Sequence, residues 1–146
     1  MKVEKGNIMN YIGISDIVCV TTNGVVKNNG ELVMGAGCAL SFKKRFPQLP
    51  MILGKNVSLF GNECFIAGKK DNTYIVSFPT KNHFKDSSDI NLIKQSAEKL
   101  LILADELNAS DIRIPSPGTG LGGLSKTYVY QNLTDILDDR FTIIEL

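Results

Sequence analysis

The stretch Asp16–Thr21, DIVCVT, constrains the fold more than any other segment of the chain. After Asp16 it is a continuous run of β-branched and other apolar residues, without the polar alternation of a half-exposed strand. Such a run is typical of a strand that is buried on both faces. Both faces of a sheet are covered when crossover helices connect parallel strands. We therefore expect an α/β protein.

The rest of the chain alternates strand-like and helix-like segments, which favours a largely parallel sheet. Val3 lies in a short extended piece, and a loop rich in Gly and Asn covers Asn23–Gly30. Further strands are predicted at Glu63–Ala67, Thr73–Phe78 (after a turn at Gly68–Asn72), Ile112–Ile114 and Phe141–Ile144. Helices are predicted at Met34–Phe46 (ended by Pro47), from Asp89 to Leu107 with Ser88 or Asp89 as the cap, and at Ser125–Leu137.

Composition predicts one domain over residues 1–146. Hydrophobic residues make up 43% of the 146 and charged residues 21%, enough apolar material for one core without disulfides or a metal. The net charge of +1 argues against a strongly electrostatic nucleic-acid binder, although it allows a local basic patch. The three cysteines, Cys19, Cys38 and Cys64, are odd in number and far apart, and we expect them to be reduced and mostly buried.

The chain contains no apolar run of about 18 residues and no apolar signal-peptide segment near its start. We therefore expect a cytoplasmic protein with no membrane association, and we expect a monomer. One histidine and scattered cysteines form neither a Ser-His-Asp set nor a metal-ligand cluster. Neither a metal nor a cofactor is expected.

The segment Pro115–Leu124, PSPGTGLGGL, holds four glycines and two prolines between a predicted strand and a predicted helix. Glycines let backbone N–H groups approach a ligand closely, and the start of a helix favours an anion. In a parallel sheet, the carboxyl end of a strand is also where ligands bind. The segment therefore predicts a phosphate or diphosphate site.

A second glycine-rich turn, Val33–Ala39 (VMGAGCA), opens the next predicted helix. Two such turns on one sheet would form the two walls of a diphosphate cleft, although each turn alone is also compatible with a purely structural role. Neither fits the P-loop pattern GxxxxGK[ST], and neither is a complete GxGxxG fingerprint.

Three polar residues follow strand ends and are candidates for chemistry. Asn23 is either a turn residue or a contact to ribose hydroxyls. Lys81 is either a solvated loop lysine or an amine that acts as a nucleophile or as a charge. His83 is the only histidine, and a lone histidine more often packs or hydrogen-bonds than catalyses, so it ranks after Lys81.

Three segments resemble the macro domain family, whose members bind ADP-ribose: Val33–Pro47 (VMGAGCALSFKKRFP), Pro79–Lys81 (PTK) and Pro117–Leu124 (PGTGLGGL). They are most similar to the branch that contains terminal ADP-ribose glutamate hydrolases and antitoxins that remove ADP-ribose from DNA. The segment Leu137–Phe141 (LDDRF) resembles bacterial and phage macro proteins, some labelled ADP-ribose-1''-phosphate phosphatases. The resemblance implies a three-layer αβα sandwich with a mixed, mostly parallel sheet.

The resemblance also implies roles for individual residues. Lys81 would act at the anomeric carbon of the distal ribose, C1'', with Asn23 at that ribose. Asn7 and Ile8 would lie at the adenine. The diphosphate and distal ribose would be lined by Met34, Gly35, Ala36 and Gly37 on one side and by Pro117, Gly118, Thr119, Gly120, Leu121, Gly122 and Gly123 on the other.

Two residues depart from the family pattern. Asn7 stands where the family usually has an aspartate that accepts a hydrogen bond from adenine, and Gly122 stands where the glutamate hydrolases carry an acid. The DNA-directed branch also has glycine there. The resemblance thus implies cleavage of an ADP-ribosyl adduct of protein or nucleic acid at C1''. A phosphatase acting on ADP-ribose 1''-phosphate and a binder without chemistry are the alternatives.

Overall fold

The computed structural model describes residues 1–146 and contains one six-stranded sheet with helices on both faces. The strands are β1 (Lys2–Lys5), β2 (Ile17–Thr22), β3 (Ile66–Lys70), β4 (Thr73–Pro79), β5 (Ile112–Pro115) and β6 (Phe141–Glu145). The helices are α1 (Gly37–Arg45), α2 (Leu49–Phe60), α3 (Ile90–Glu106) and α4 (Lys126–Thr134), with a short 3₁₀ turn at Ile8–Tyr11. No helix is long and apolar enough to cross a membrane.

The strand order across the sheet is β1-β6-β5-β2-β4-β3. Every neighbouring pair is parallel except β3 with β4, which is antiparallel and forms one edge. The predicted mixed, mostly parallel sheet is therefore confirmed. Because β2, β4 and β5 run in the same direction, their carboxyl ends meet at one edge of the sheet.

The side chains of β2 show why both faces of the sheet are covered by helices. Ile17 and Cys19 are fully buried on one face, in a core cluster shared with α3 and α4. Val18 and Val20 are fully buried on the other face, in a cluster shared with α1 and α2. Side chains alternate across a strand, so an uninterrupted apolar run supplies both cores.

Three predicted boundaries were wrong, one of them the end of the helix predicted at Ser125–Leu137, which stops at Thr134. The helix predicted from Met34 begins at Gly37, because Ala36 is extended and Met34 is a core residue with 2% exposure. The strand predicted at Glu63–Ala67 lies at Ile66–Lys70 instead. Its turn is confined to Asp71 and Asn72, which both adopt positive φ, a conformation that Asp and Asn tolerate better than most residues.

Helix α2 was not predicted at all. Pro47 was interpreted as the end of the preceding helix, and the new helix begins shortly after it, with Pro50 in its first turn, where a helix needs no N–H donor. Gly54 in this helix packs directly on the loop before α1, since a Cβ there would overlap the Gly30 carbonyl oxygen. The helix thereby supports the chain that leads into α1.

Candidate functional site

A cleft of about 860 Å³ opens at the carboxyl ends of the parallel strands. Asn23 follows β2, Lys81 follows β4, and Ser116 follows β5, and all three line this cleft. Its volume lies within the range of about 300–1,000 Å³ that is typical of small-molecule sites. The sheet edge predicted to bind a ligand is therefore a real concavity.

The first wall is loop 1, defined as residues 33–39. Gly35, Ala36 and Gly37 are exposed along the cleft, and Gly37 has a φ of +56°. Ala36 precedes α1 and supplies no side-chain cap, and the first turn of α1 contains no acidic residue. The first N–H groups of α1 therefore lack a side-chain partner and are available to an anion.

The second wall is loop 2, defined as residues 117–124. Backbone bonds fold it on itself, from Leu124 N to Gly118 O at 2.9 Å and from Gly123 N to Gly120 O at 3.1 Å. Gly120 is exposed and has open space at its Cβ position. Ser125 follows the loop and caps α4 by accepting a bond from Tyr128 N. Loop 2 is therefore a folded wall with an open crest.

Gly122 is packed against Ser88, the residue before the cap of α3. The Ser88 N–H donates to the Gly122 carbonyl at 2.9 Å. A Cβ at Gly122 would overlap Ser88 Oγ and lie 2.7 Å from Gly118 O. No acidic side chain fits here without moving the loop, which gives a physical reason for glycine at this position.

Asn23 is buried and braces the connection into loop 1. Its Oδ1 accepts from Val25 N, and its Nδ2 donates to Val33 O, both at 2.9 Å. These contacts agree with the turn interpretation. An amide keeps a second N–H and further acceptor capacity, so Asn23, which also lines the cleft, still has groups to offer a ligand.

Lys81 is half-buried beside the cleft. Its Nζ lies 3.5 Å from the Phe84 carbonyl oxygen, and its own carbonyl accepts from Asn62 Nδ2 at 3.1 Å. The preceding Thr80 donates from its N–H to Thr22 O at 3.0 Å, which joins the ends of β2 and β4. The lysine is thus an amine on an anchored backbone, in the same cleft as both loops.

Several predicted site residues do not line the cleft. His83 is one of them, and its Nδ1 accepts from Lys85 N at 3.1 Å. Asn7 is exposed, and its Oδ1 accepts from Met9 N at 3.0 Å, which caps the 3₁₀ turn. The others outside the lining are Ile8 and Met34, which are core residues, together with Pro117 and Gly123.

The end of β6 contributes a wall that the sequence did not predict. Ile144, Glu145 and Leu146 line the cleft. Tyr130 OH donates to the Glu145 carboxylate at 2.6 Å, and Lys126 Nζ lies 3.2 Å from it. The Tyr130 bond, with the lysine, holds the pKa of Glu145 below its usual value, while burial and the same bond raise the pKa of Tyr130 to about 12.

The chemistry in the cleft comes from backbone amides, the Asn23 carboxamide, three lysine amines (Lys81, Lys85 and Lys126) and two carboxylates (Asp86 and Glu145). Cys38 also lines it, but burial raises the pKa of this thiol, which disfavours a reactive thiolate. The chain contains no group of three or more His, Cys, Asp or Glu side chains that could hold a metal ion. Such a site is suited to holding an anion and positioning the bonds next to it.

The sequence matches the family model for the Macro domain over residues 25–133. This chain belongs to the macro domain family. The match includes both loops and Lys81, while Asn23 and the end of β6 lie outside the matched residues. The macro domain fold predicted from the sequence is confirmed by solved relatives.

The macro domain is similar to several named proteins. It is 31% identical over 128 residues to a DNA ADP-ribosyl glycohydrolase of Mycobacterium tuberculosis, across 83% of this chain and 36% of that protein. The macrodomain of M. tuberculosis DarG superposes with a TM-score of 0.81 at 27% identity, over 99% of this chain and 95% of that one. Thermosipho africanus DarTG in complex with ADP-ribose gives a TM-score of 0.80 at 22% identity, over 100% of this chain and 42% of that one. The chain spans about a third of the length of the curated relatives it matches.

Proposed function

We propose that this macro domain binds ADP-ribose and hydrolyses the bond between C1'' of its distal ribose and a carrier, with nucleic acid as the carrier. The observation that carries the proposal is the cleft in which loop 1, loop 2 and Lys81 come together. The names of the relatives support it, because the curated ones are DNA ADP-ribosyl glycohydrolases and one solved neighbour contains ADP-ribose.

The two loops would hold the diphosphate. Loop 1 offers the uncapped start of α1, and loop 2 offers a glycine-rich crest at Gly120, whose Cβ position is open. Backbone N–H groups and a helix start bind phosphates without a dedicated cation. Fixing the diphosphate from both sides would set the position of the distal ribose and so supply orientation for the reaction.

Lys81 would act at C1''. In the hydrolysis, the bond from C1'' to the carrier breaks, water supplies the new C1'' oxygen, and the carrier takes a proton. The amine would either attack C1'' to form a transient intermediate or stabilise the departing group. Asn23 would contact the distal ribose from the end of β2, while His83 lies outside the cleft and is not needed for this step.

The alternative functions make different demands on the same cleft. A phosphatase acting on ADP-ribose 1''-phosphate would use the loop amides and Lys81 to stabilise a transferring phosphoryl group. A binder without chemistry would use the loops alone. Neither alternative has an observation of its own in this structure, so both serve as outcomes of the test.

The test offers three substrates: ADP-ribosylated single-stranded DNA, ADP-ribosylated protein and ADP-ribose 1''-phosphate. Release of free ADP-ribose from DNA is the expected result. Release of phosphate alone would favour the phosphatase, and tight binding without turnover would favour the binder. Absence of ADP-ribose binding in calorimetry would contradict the proposal altogether.

Substitution of Lys81 tests the assignment of the amine. Lys81→Ala should lower turnover at least a hundredfold, a barrier increase of about 2.7 kcal/mol, while ADP-ribose affinity changes far less. Lys81→Arg should not rescue a nucleophilic amine, but should partly rescue a purely electrostatic one. Lys55→Ala, an exposed lysine of α2 outside the cleft, is the matched control, and His83→Ala should have a mild effect.

A further inference from the structure

Phe84 is the only aromatic side chain that lines the cleft, and 42% of it is exposed. Exposed single hydrophobic residues are common on protein surfaces and need no ligand to explain them. A ring at the edge of a polar cleft that already contains an amine and two glycine loops is different, because it offers a flat apolar face beside a reactive position.

The loop that carries Phe84 holds the ring in place. The rings of His83 and Phe84 are stacked, with centroids 4.4 Å apart and planes 29° from parallel. His83 Nδ1 accepts from Lys85 N, and the His83 carbonyl accepts from Asp86 N at 3.0 Å. The only histidine therefore packs on the ring and does not line the cleft, and Lys85 Nζ lies 6.0 Å from the ring centroid, so a ligand can use the part of Phe84 that remains exposed.

Phe84 lies next to Lys81, the residue proposed to act at C1''. Lys81 Nζ lies 3.5 Å from the Phe84 carbonyl oxygen, and both residues line the same cleft. A carrier attached to a ribose whose C1'' lies at Lys81 would therefore come next to residues 84–86. The side chains of residues 84–86 therefore determine which carriers bind more tightly.

We infer that Phe84 stacks on the nucleobase attached to C1'' and selects nucleobase adducts over adducts of carboxylate side chains. The inference rests on the proposed function, since it names the group on the far side of the bond to be cleaved. A base presents a π face for stacking, whereas a glutamate side chain presents none. Lys85 in the same loop provides a positive charge for the phosphates that flank the base.

Binding of an uncleaved adduct tests the inference most directly. In a Lys81→Ala background, a single-stranded oligonucleotide ADP-ribosylated on a base should bind at least fivefold more tightly than free ADP-ribose. Adding Phe84→Ala should remove that gain and leave the affinity for free ADP-ribose within twofold. Phe84→Trp should retain the gain, and Phe60→Ala, another exposed phenylalanine that lies outside the cleft, should not alter it.

Turnover provides the second readout in the otherwise native chain. Phe84→Ala should lower kcat/KM at least fivefold on the DNA adduct and less than twofold on a glutamate-linked adduct. Equal losses on both substrates, or an unchanged kcat/KM on DNA, would overturn the role of Phe84 while leaving the hydrolase proposal intact. No binding of ADP-ribose by the native chain would overturn both.

Discussion

The two glycine loops of the cleft contain the same residue type for opposite reasons. In loop 1, Gly35 has no atom within 4 Å of its Cβ position, and Gly35, Ala36 and Gly37 are exposed. In loop 2, Gly118 and Gly122 are buried, and a Cβ at either position would collide with neighbouring atoms. Loop 1 therefore uses glycine for access to its backbone, while loop 2 uses two of its four glycines, Gly118 and Gly122, for close packing.

Gly120 and Gly123 differ from Gly118 and Gly122, because both have open space around their Cβ positions. Loop 2 thus combines an open crest with a packed base, and the base contacts Ser88 and Ile93 at the start of α3. A glycine-rich stretch in a sequence does not reveal which glycines expose the backbone and which allow close packing. Substitutions at single positions separate the two uses.

The largest effect is expected from Gly120→Glu. The side chain would project from the crest into the proposed anion site, where its carboxylate would repel a diphosphate. We expect ADP-ribose affinity to fall more than a thousandfold, about 4 kcal/mol, with an unchanged melting temperature. Calorimetry and thermal denaturation measure the two quantities.

Gly120→Gln is the control for size, since it keeps the length of the side chain without the charge. It should bind more tightly than Gly120→Glu. Equal affinity of the native chain and Gly120→Glu would show that the crest of loop 2 does not contact the diphosphate.

A smaller loss, this time in stability, is expected from Gly122→Asp. Its Cβ would overlap Ser88 Oγ and approach Gly118 O, so the loop or α3 must shift. Overpacking of this kind costs about 1–3 kcal/mol in the free energy of unfolding. Urea denaturation measures it, and a native-like midpoint would mean that loop 2 is not packed as described.

The next largest effect, again on stability, concerns two buried serines, Ser88 just before α3 and Ser96 within α3. The Ser96 hydroxyl donates to Pro79 O at 2.7 Å, whereas the Ser88 hydroxyl is buried without a partner. Ser96→Ala should lower the free energy of unfolding by about 1 kcal/mol, and Ser88→Ala should leave it unchanged or raise it. The reverse order in urea denaturation would contradict the assigned hydrogen bonds.

The smallest effect is expected from Gly35→Ala in loop 1. Its φ is not in the left-handed region, and its Cβ would meet nothing in the unliganded fold. The free energy of unfolding should change by no more than about 0.5 kcal/mol. A large loss in thermal denaturation would show that loop 1 is packed like the base of loop 2.

Much of the fold was predictable because the local sequence pattern of apolar and capping residues agrees with the burial observed in the structure. The apolar run of β2 required two covered faces, and Asp89 caps α3 through bonds from the N–H groups of Asn91 and Leu92. Helix α2 was missed because proline marks both the interior break of a helix and its first turn, and the sequence around Pro50 does not distinguish them.

Site residues were predictable from the sequence only where they follow strands that are neighbours in the sheet. Asn23 and Lys81 follow β2 and β4, which are neighbours in the sheet, so they share a cleft. Met34 belongs to the glycine motif VMGAGCA but packs into the core. Glu145 lines the cleft from β6, which is far along the chain from Asn23 and Lys81. The close approach of Ser88 to Gly122 depends on tertiary packing that no local pattern encodes.

The pairing of β1 with β6 has a consequence for the order in which this site is built. Lys2 lies opposite Thr142, and β6 sits between β1 and β5, so the sheet on one side of β2 closes only when the last strand is available. During synthesis, loop 1 and Lys81 leave the ribosome well before loop 2 and β6. Contacts between such distant segments also form slowly, because closing a long loop costs entropy before any contact repays it. The cleft therefore completes late, and a nascent chain can acquire its ligand only after β6 has emerged from the ribosome.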